Sequence, residues 1–244
     1  MRTVVIPMAG KGSRYEGASH PKVLVPVKPD GDPMFIHAIK NLGFSFDQLI
    51  LIAQKVHEVG GHLSRLLPEV RAHVVEVDYT TGGPLESVQL ARDLLHKELD
   101  HELVVANADQ VMVWPGDWAL GWFRQRGAAG GIPTLEAHSE RHSYAAIDPA
   151  MPHRIIEVRE KVRISTRATI GIYWFRRSGQ FLEAAQAMIE ADDRAPNGEF
   201  YVGPVYNYLP GLILEFPLCE FWSLGEPANL RAYEGRDHGA MRND

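Results

Sequence analysis

The sequence predicts an α/β fold built on a doubly wound sheet, and three observations carry that prediction. Short apolar runs alternate with helix-patterned stretches over the first hundred or so residues, which implies parallel crossovers. The run at residues 48–53 (QLILIA) is continuously apolar, as a strand covered on both faces must be. The first apolar run, Val4-Val5-Ile6, empties at once into a glycine-rich loop, and sheets of this kind bind ligands beyond the carboxyl ends of their strands.

In chain order, residues 3–7 are the expected first and central strand. Residues 33–42 carry Met34, Ile36, Ala38, Ile39 and Leu42 at helical spacing, with Pro33 opening the helix. A strand at 48–53 follows, then a helix at 56–67 despite Gly60 and Gly61, then a third strand at 72–77. Residues 84–98 place Leu85, Val88, Ala91, Leu94 and Leu95 on one face and read as the clearest helix. A fourth strand at 103–106 ends at Asn107-Ala108-Asp109. The second half is less regular. Helices are expected at 117–126, 181–191 and 227–234, and strands at 129–137, 145–148, 155–157, 168–175, 212–216 and 220–224. With no linker, repeat or low-complexity run, residues 1–244 are expected to form one domain.

Composition narrows the function classes. The hydrophobic share of 45% supports a sizeable core. A formal charge of -6 argues against a general nucleic-acid or anionic-membrane binder, so the cations of the first loop serve a local purpose. Cys219, the single cysteine, sits in an apolar stretch and is expected to be a small buried hydrophobe. No leader pattern and no membrane-length apolar stretch are evident, so a soluble cytoplasmic protein is expected.

The loop itself, within residues 4–27, reads VVIPMAGKGSRYEGASHPKVLVPV. Glycines let the backbone approach a phosphate, bare N–H groups point at its oxygens, and Lys11, Arg14 and Lys22 offset its charge. Gly10 and Gly12 fit the dinucleotide fingerprint, but Tyr15 stands at its third glycine, and the P-loop spacing is absent. What remains is Gly10-Lys11-Gly12-Ser13-Arg14 followed by Pro21-Lys22-Val23-Leu24-Val25-Pro26-Val27. In these two segments the chain resembles the nucleotidyltransferases of the sugar-nucleotide pyrophosphorylase type.

The resemblance implies a Rossmann-like, doubly wound mixed sheet of the GT-A-like nucleotidyltransferase kind. Roughly residues 1–110 would bind nucleotide and 111–244 the acceptor. It implies an Mg²⁺-dependent enzyme that joins an NTP, CTP or UTP foremost, to a phosphorylated sugar or sugar-like acceptor and releases pyrophosphate. Ala9, Gly10, Gly12, Ser13 and Asn107 would contact nucleotide, Arg14 and Lys22 would act on the triphosphate, and Asp109 would ligate the metal. Gly82, Gly83 and Glu86 fall in the family's base-reading segment; Pro84 and Glu86 equally suit a plain helix start. Glu160-Lys161 resembles the family's E-K-P element, so Lys161 would bind the acceptor phosphate. Glu199, Tyr201, Tyr206 and Asn207 are further acceptor-side candidates, with core packing the alternative for the aromatic ones. One departure is large: the family reads W-x-D-x-G-T-P where this chain has Trp222-Ser223-Leu224-Gly225-Glu226-Pro227. The aspartate that serves as second metal ligand is missing, and Glu220 is the nearest substitute. Two alternatives stand beside this reading: a cytidylyltransferase for a polyol, choline or phosphonate acceptor, and a catalytically silent nucleotide-sensing domain. Homo-oligomerisation is left open.

Overall fold

The chain runs β1 (Arg2–Met8), β2 (Pro26–Val27), β3 (Asp32–Pro33), α1 (Met34–Lys40), β4 (Gln48–Gln54), α2 (Val59–Leu66), β5 (Ala72–Val77), α3 (Pro84–Gln89), α4 (Arg92–Leu95) and β6 (Glu102–Ala106) through its first half. There follow β7 (Gln110–Val113), α5 (Gly116–Gln125), β8 (Gly130–Glu136), β9 (Ser143–Ile147), β10 (Ile155–Glu160), β11 (Arg167–Thr169), β12 (Ile172–Phe175), α6 (Ser178–Glu190), β13 (Ile213–Pro217), β14 (Glu220–Ser223) and α7 (Pro227–Glu234). This is a computed structural model, and it describes residues 1–139, 141–218 and 220–236. Cys219 lies outside the described residues.

One sheet of ten strands takes elements from both halves, in the order β10-β9-β11-β8-β12-β6-β1-β4-β5, with β13 paired to β8. The β6-β1-β4-β5 part is parallel, and β12 adds antiparallel to β6. Adjacent side chains on a strand point to opposite faces, and the two cores divide accordingly. Val4, Ile6, Leu49 and Leu51 pack on one face with Phe35 of α1, Leu63 of α2 and Phe123 of α5. Val5, Ile50 and Ile52 pack on the other with Val88 of α3, Leu95 of α4 and Phe181 of α6. This two-sided burial is why β1 and β4 read as unbroken apolar runs.

The structure corrects three expectations. The helix expected at 84–98 is broken into α3 and α4 by a tightened turn, where the N–H groups of Leu90 and Ala91 donate three residues back to Ser87 and Val88. Its apolar face survives the break, since Leu85, Val88, Ala91 and Leu95 are all buried. The single strand expected at 168–175 is two, β11 and β12, parted at Gly171. That residue has φ +77, and a Cβ there would collide with the side chains of Asn107 and Gln110. Finally, Pro33 opens α1 from the N-cap, where it also ends β3, rather than from within the first turn, and the helix starts at Met34. A third, smaller cluster joins Tyr15, Val27, Met34, Val111, Leu224, Leu230 and Tyr233, and so fastens α7 beneath the first loop.

Candidate active site

The carboxyl ends of β1 and β6 open into a cavity of about 1260 Å³. The loop after β1 forms one wall. Gly12 takes a left-handed conformation (φ +65) just before a single 3-10 turn, Ser13–Tyr15. A Cβ at Gly12 would lie 3.1 Å from Cβ of Lys22, so the bare backbone is what lets the two halves of the loop approach each other. Gly10, Ser13 and Arg14 line the same wall, and so does Lys11, whose ammonium is 3.1 Å from Glu16 and largely exposed.

Asp109 and Lys22 meet at the floor. Lys22 Nζ donates to Asp109 Oδ2 at 2.5 Å, and both side chains are mostly buried. Burial alone would raise the Asp109 carboxyl. The Lys22 charge and hydrogen bond, with Arg14 further off, outweigh it and hold the group below its ordinary 3.8. Asp109 is therefore ionised at neutral pH. The C-terminal turn closes the floor: Leu224 N–H donates to the Asp109 carbonyl (2.7 Å), and Tyr15 OH donates to the Leu224 carbonyl (2.6 Å). Burial, with Asp109 nearby, pushes the Tyr15 phenol up to about 12, so it remains a donor. Because β14 pairs antiparallel with β7 and sets Ser223 opposite Gln110, Ser223 lines the cavity while Leu224 is fully buried. Of Ser223 and Leu224, the two residues that can stand where the family has its second aspartate, Ser223 is the one on the cavity wall. Glu220 lies outside the cavity wall and accepts from Trp222 Nε1 at 3.2 Å. Asp109 offers a hard oxygen donor on this floor, paired with Lys22. No group of three or more His, Cys, Asp or Glu suited to a metal occurs among the described residues.

The far half of the cavity is built from β9, β10, β12 and the segment after α6. Lys161 adopts φ +55 directly after β10 and donates from Nζ to Tyr201 OH at 2.6 Å, with its ammonium 4.8 Å from the Tyr201 ring centre. Asn197 Nδ2 donates to the same hydroxyl at 3.1 Å. Glu199, Ser143, Thr169 and Tyr173 complete this wall with Glu160. Burial pushes the Glu160 carboxyl from its ordinary 4.5 to about 7; Lys161 and a hydrogen bond from Ser143 pull it down, and Glu199 adds to the rise.

Of the residues singled out from sequence, Gly10, Gly12, Ser13, Arg14, Lys22, Gly83, Asn107, Asp109, Lys161, Glu199 and Tyr201 share this one cavity. Ala9, Gly82 and Glu86 are not on its wall. Ala9 is buried, its carbonyl accepting from Thr81 N–H and Gln54 Nε2. Glu86 accepts from Gly82 N–H at 2.7 Å, which closes the turn before α3, as a helix start would have it. Tyr206 is buried in the core and donates to the carbonyls of Trp174 and Gly131. Asn207 bonds both backbone groups of Val158 and so extends β10 sideways. Sequence reasoning did not single out Ser143, Thr169, Tyr173, Arg141 or Glu226 for the site; they reach it through antiparallel pairings and turns that leave no local pattern.

A family model for the MobA-like NTP transferase domain matches residues 4–166, from the first strand past Lys161. The chain belongs to this family. It is a nucleotidyltransferase by that membership. No curated protein matches the chain. Among solved structures, it is similar to a nucleoside-diphosphate-sugar pyrophosphorylase from Vibrio cholerae RC9, with a TM-score of 0.80 and 24% identity over 96% of this chain and 100% of that one. A protein assigned as a glucose-1-phosphate thymidylyltransferase from Bacillus anthracis, solved with sucrose, gives 0.76 and 22% over 96% and 94%. A UDP-glucose pyrophosphorylase with UDP-glucose bound gives 0.75 and 13% over 96% and 98%. These likenesses establish that the MobA-like chain has the nucleotidyltransferase fold. No helix among the described residues is long and apolar enough to cross a membrane.

Proposed function

We propose that this nucleotidyltransferase joins an NTP to a phosphorylated, hydroxyl-rich acceptor of the sugar or polyol kind and releases pyrophosphate. The observation that carries the reading is the single cavity holding a basic glycine loop at one end and a hydrogen-bonding wall at the other, with the Lys22–Asp109 pair on its floor. The acceptor phosphate attacks the α-phosphorus in line; a new P–O bond forms as the bond to the β-phosphate oxygen breaks. A phosphate dianion is already nucleophilic, so no protein base is needed, and positioning and charge stabilisation supply the rate. Arg14 and Lys22 neutralise the leaving pyrophosphate, while Lys161, steadied by Tyr201, orients the incoming phosphate.

Asp109 suits Mg²⁺, which is commonly held by one or two carboxylates and by substrate phosphates. It is mostly buried, kept ionised and set at the floor, and Ser223 adds a hydroxyl to the same wall. Bound there, the ion would neutralise charge on the triphosphate.

The acceptor wall favours hydroxyl groups over a quaternary ammonium. Glu160, Glu199, Ser143 and Thr169 offer hydrogen bonds, and the Lys161 ammonium, bonded to the Tyr201 hydroxyl, would repel a choline-like cation brought to that ring. The sheet shared between the two halves supports one domain. The test is a panel of NTPs with sugar, polyol and choline phosphates, read by pyrophosphate release and ³¹P NMR of the product. A pyrophosphate-linked product with sugar or polyol phosphates is expected; turnover confined to phosphocholine would overturn the acceptor assignment. Nucleotide binding with no turnover on any acceptor would indicate a silent sensor.

A further inference from the structure

Three charged side chains meet at the cavity wall from three separate parts of the chain. Arg14 comes from the first loop, Arg141 stands two residues before β9, and Glu226 immediately precedes α7. Arg141 Nη1 donates to both oxygens of Glu226, at 2.9 and 3.0 Å, and Arg14 Nη1 lies 4.0 Å from Glu226 Oε1. The two arginine side chains are 60% and 74% exposed, whereas that of Glu226 is 26% exposed. Two guanidinium groups that converge on one carboxylate are placed to converge on another anion of similar size. A terminal phosphate is such an anion, with more oxygens to accept from both. The turn that carries Glu226 is pinned by the Leu224 bonds to Asp109 and Tyr15, so the carboxylate can leave by side-chain rotation with the backbone held.

We propose that Arg141 is a second phosphate-binding arginine, and that Glu226 keeps Arg14 and Arg141 converged until the terminal phosphates of the nucleotide displace it. The inference rests on the nucleotidyltransferase reading of this cavity and adds a residue from its far side to the phosphate site. Glu226 both positions the cations and competes with the ligand for them. Removing its charge while keeping its shape therefore tightens phosphate binding, and removing Arg141 weakens it.

The test is calorimetric titration of inorganic pyrophosphate into the full chain with Mg²⁺ present, for wild type, E226Q, R141A, R141K and the E226Q/R141A pair. Expected are binding roughly two- to five-fold tighter for E226Q and at least about ten-fold weaker for R141A. R141K should fall between R141A and wild type, because it keeps the charge without the planar fork. The E226Q gain should shrink once Arg141 is absent, which a merely structural pair would not show. Unaltered binding in R141A, or binding in E226Q no tighter than wild type, overturns the proposal. Pyrophosphate release by the wild type separates the two readings. Turnover with unresponsive variants sinks only the Arg141 assignment; absence of both turnover and pyrophosphate binding sinks the active-site reading as well.

Discussion

Replacing Glu160 with Gln keeps the shape of a cavity side chain and removes its charge. Burial raises the Glu160 carboxyl from 4.5 to about 7 in the folded protein. The folded-state value lies above the unfolded one. The group's contribution to stability is therefore fully present below about pH 4.5 and is lost as the pH rises to about 7. At roughly 1.4 kcal/mol per pH unit, that loss amounts to about 3 kcal/mol. A chain of this length shifts its Tm by about 2–4 °C per kcal/mol. The Gln variant has no charge to bury, so it escapes the loss. Thermal melts of both proteins from pH 5 to pH 8, in the absence of ligand, isolate the effect from every other titrating group. The Tm of E160Q minus that of wild type should grow by about 5–10 °C across that range. Parallel curves would refute the reasoning and mean that water reaches Glu160 freely.

Two further outcomes follow from contacts on the cavity wall. A Cβ at Gly225 would stand 2.8 Å from Asp109 Oδ2 and 3.2 Å from Arg14 Nη1. G225A must therefore shift the carboxylate by about half an ångström, and turnover should drop roughly ten- to hundred-fold with the Tm nearly unchanged; full activity would show that Asp109 need not be held where it is. K161Q removes the charge from a side chain only one atom shorter, on the same left-handed backbone, and should raise the acceptor KM at least about ten-fold while leaving the NTP KM unaltered, as initial rates with each substrate varied would reveal.

Much of this arrangement was legible in the sequence where a local pattern decided it. Val4 to Ile6 and the run at 48–53 gave away their strands because both faces of the sheet are covered, leaving no polar alternation. Asp109 was legible because it follows a buried strand that runs parallel to β1, which brings both strand ends to one crevice. The break between α3 and α4 was not, since Leu85, Val88, Ala91 and Leu95 keep helical spacing through it. Gly171 did part β11 from β12, but a lone glycine inside an apolar run does not reveal that Asn107 and Gln110 crowd it. Whether Ser223 or Leu224 faces the cavity hinged on the β14–β7 register, a pairing between segments about a hundred residues apart in the chain. Arg141 and Glu226 are 85 residues apart and meet only because the fold brings two turns to the same wall.

The most direct test compares wild type with D109N for pyrophosphate release in Mg²⁺, with an NTP and a sugar phosphate supplied together. The expected result is acceptor-dependent release of pyrophosphate by the wild type and a loss of at least about a hundred-fold in D109N, with NTP binding still measurable. Near-normal turnover in D109N, or wild-type cleavage of the NTP to NDP and phosphate regardless of acceptor, would contradict attack at the α-phosphorus in a cavity organised on Asp109.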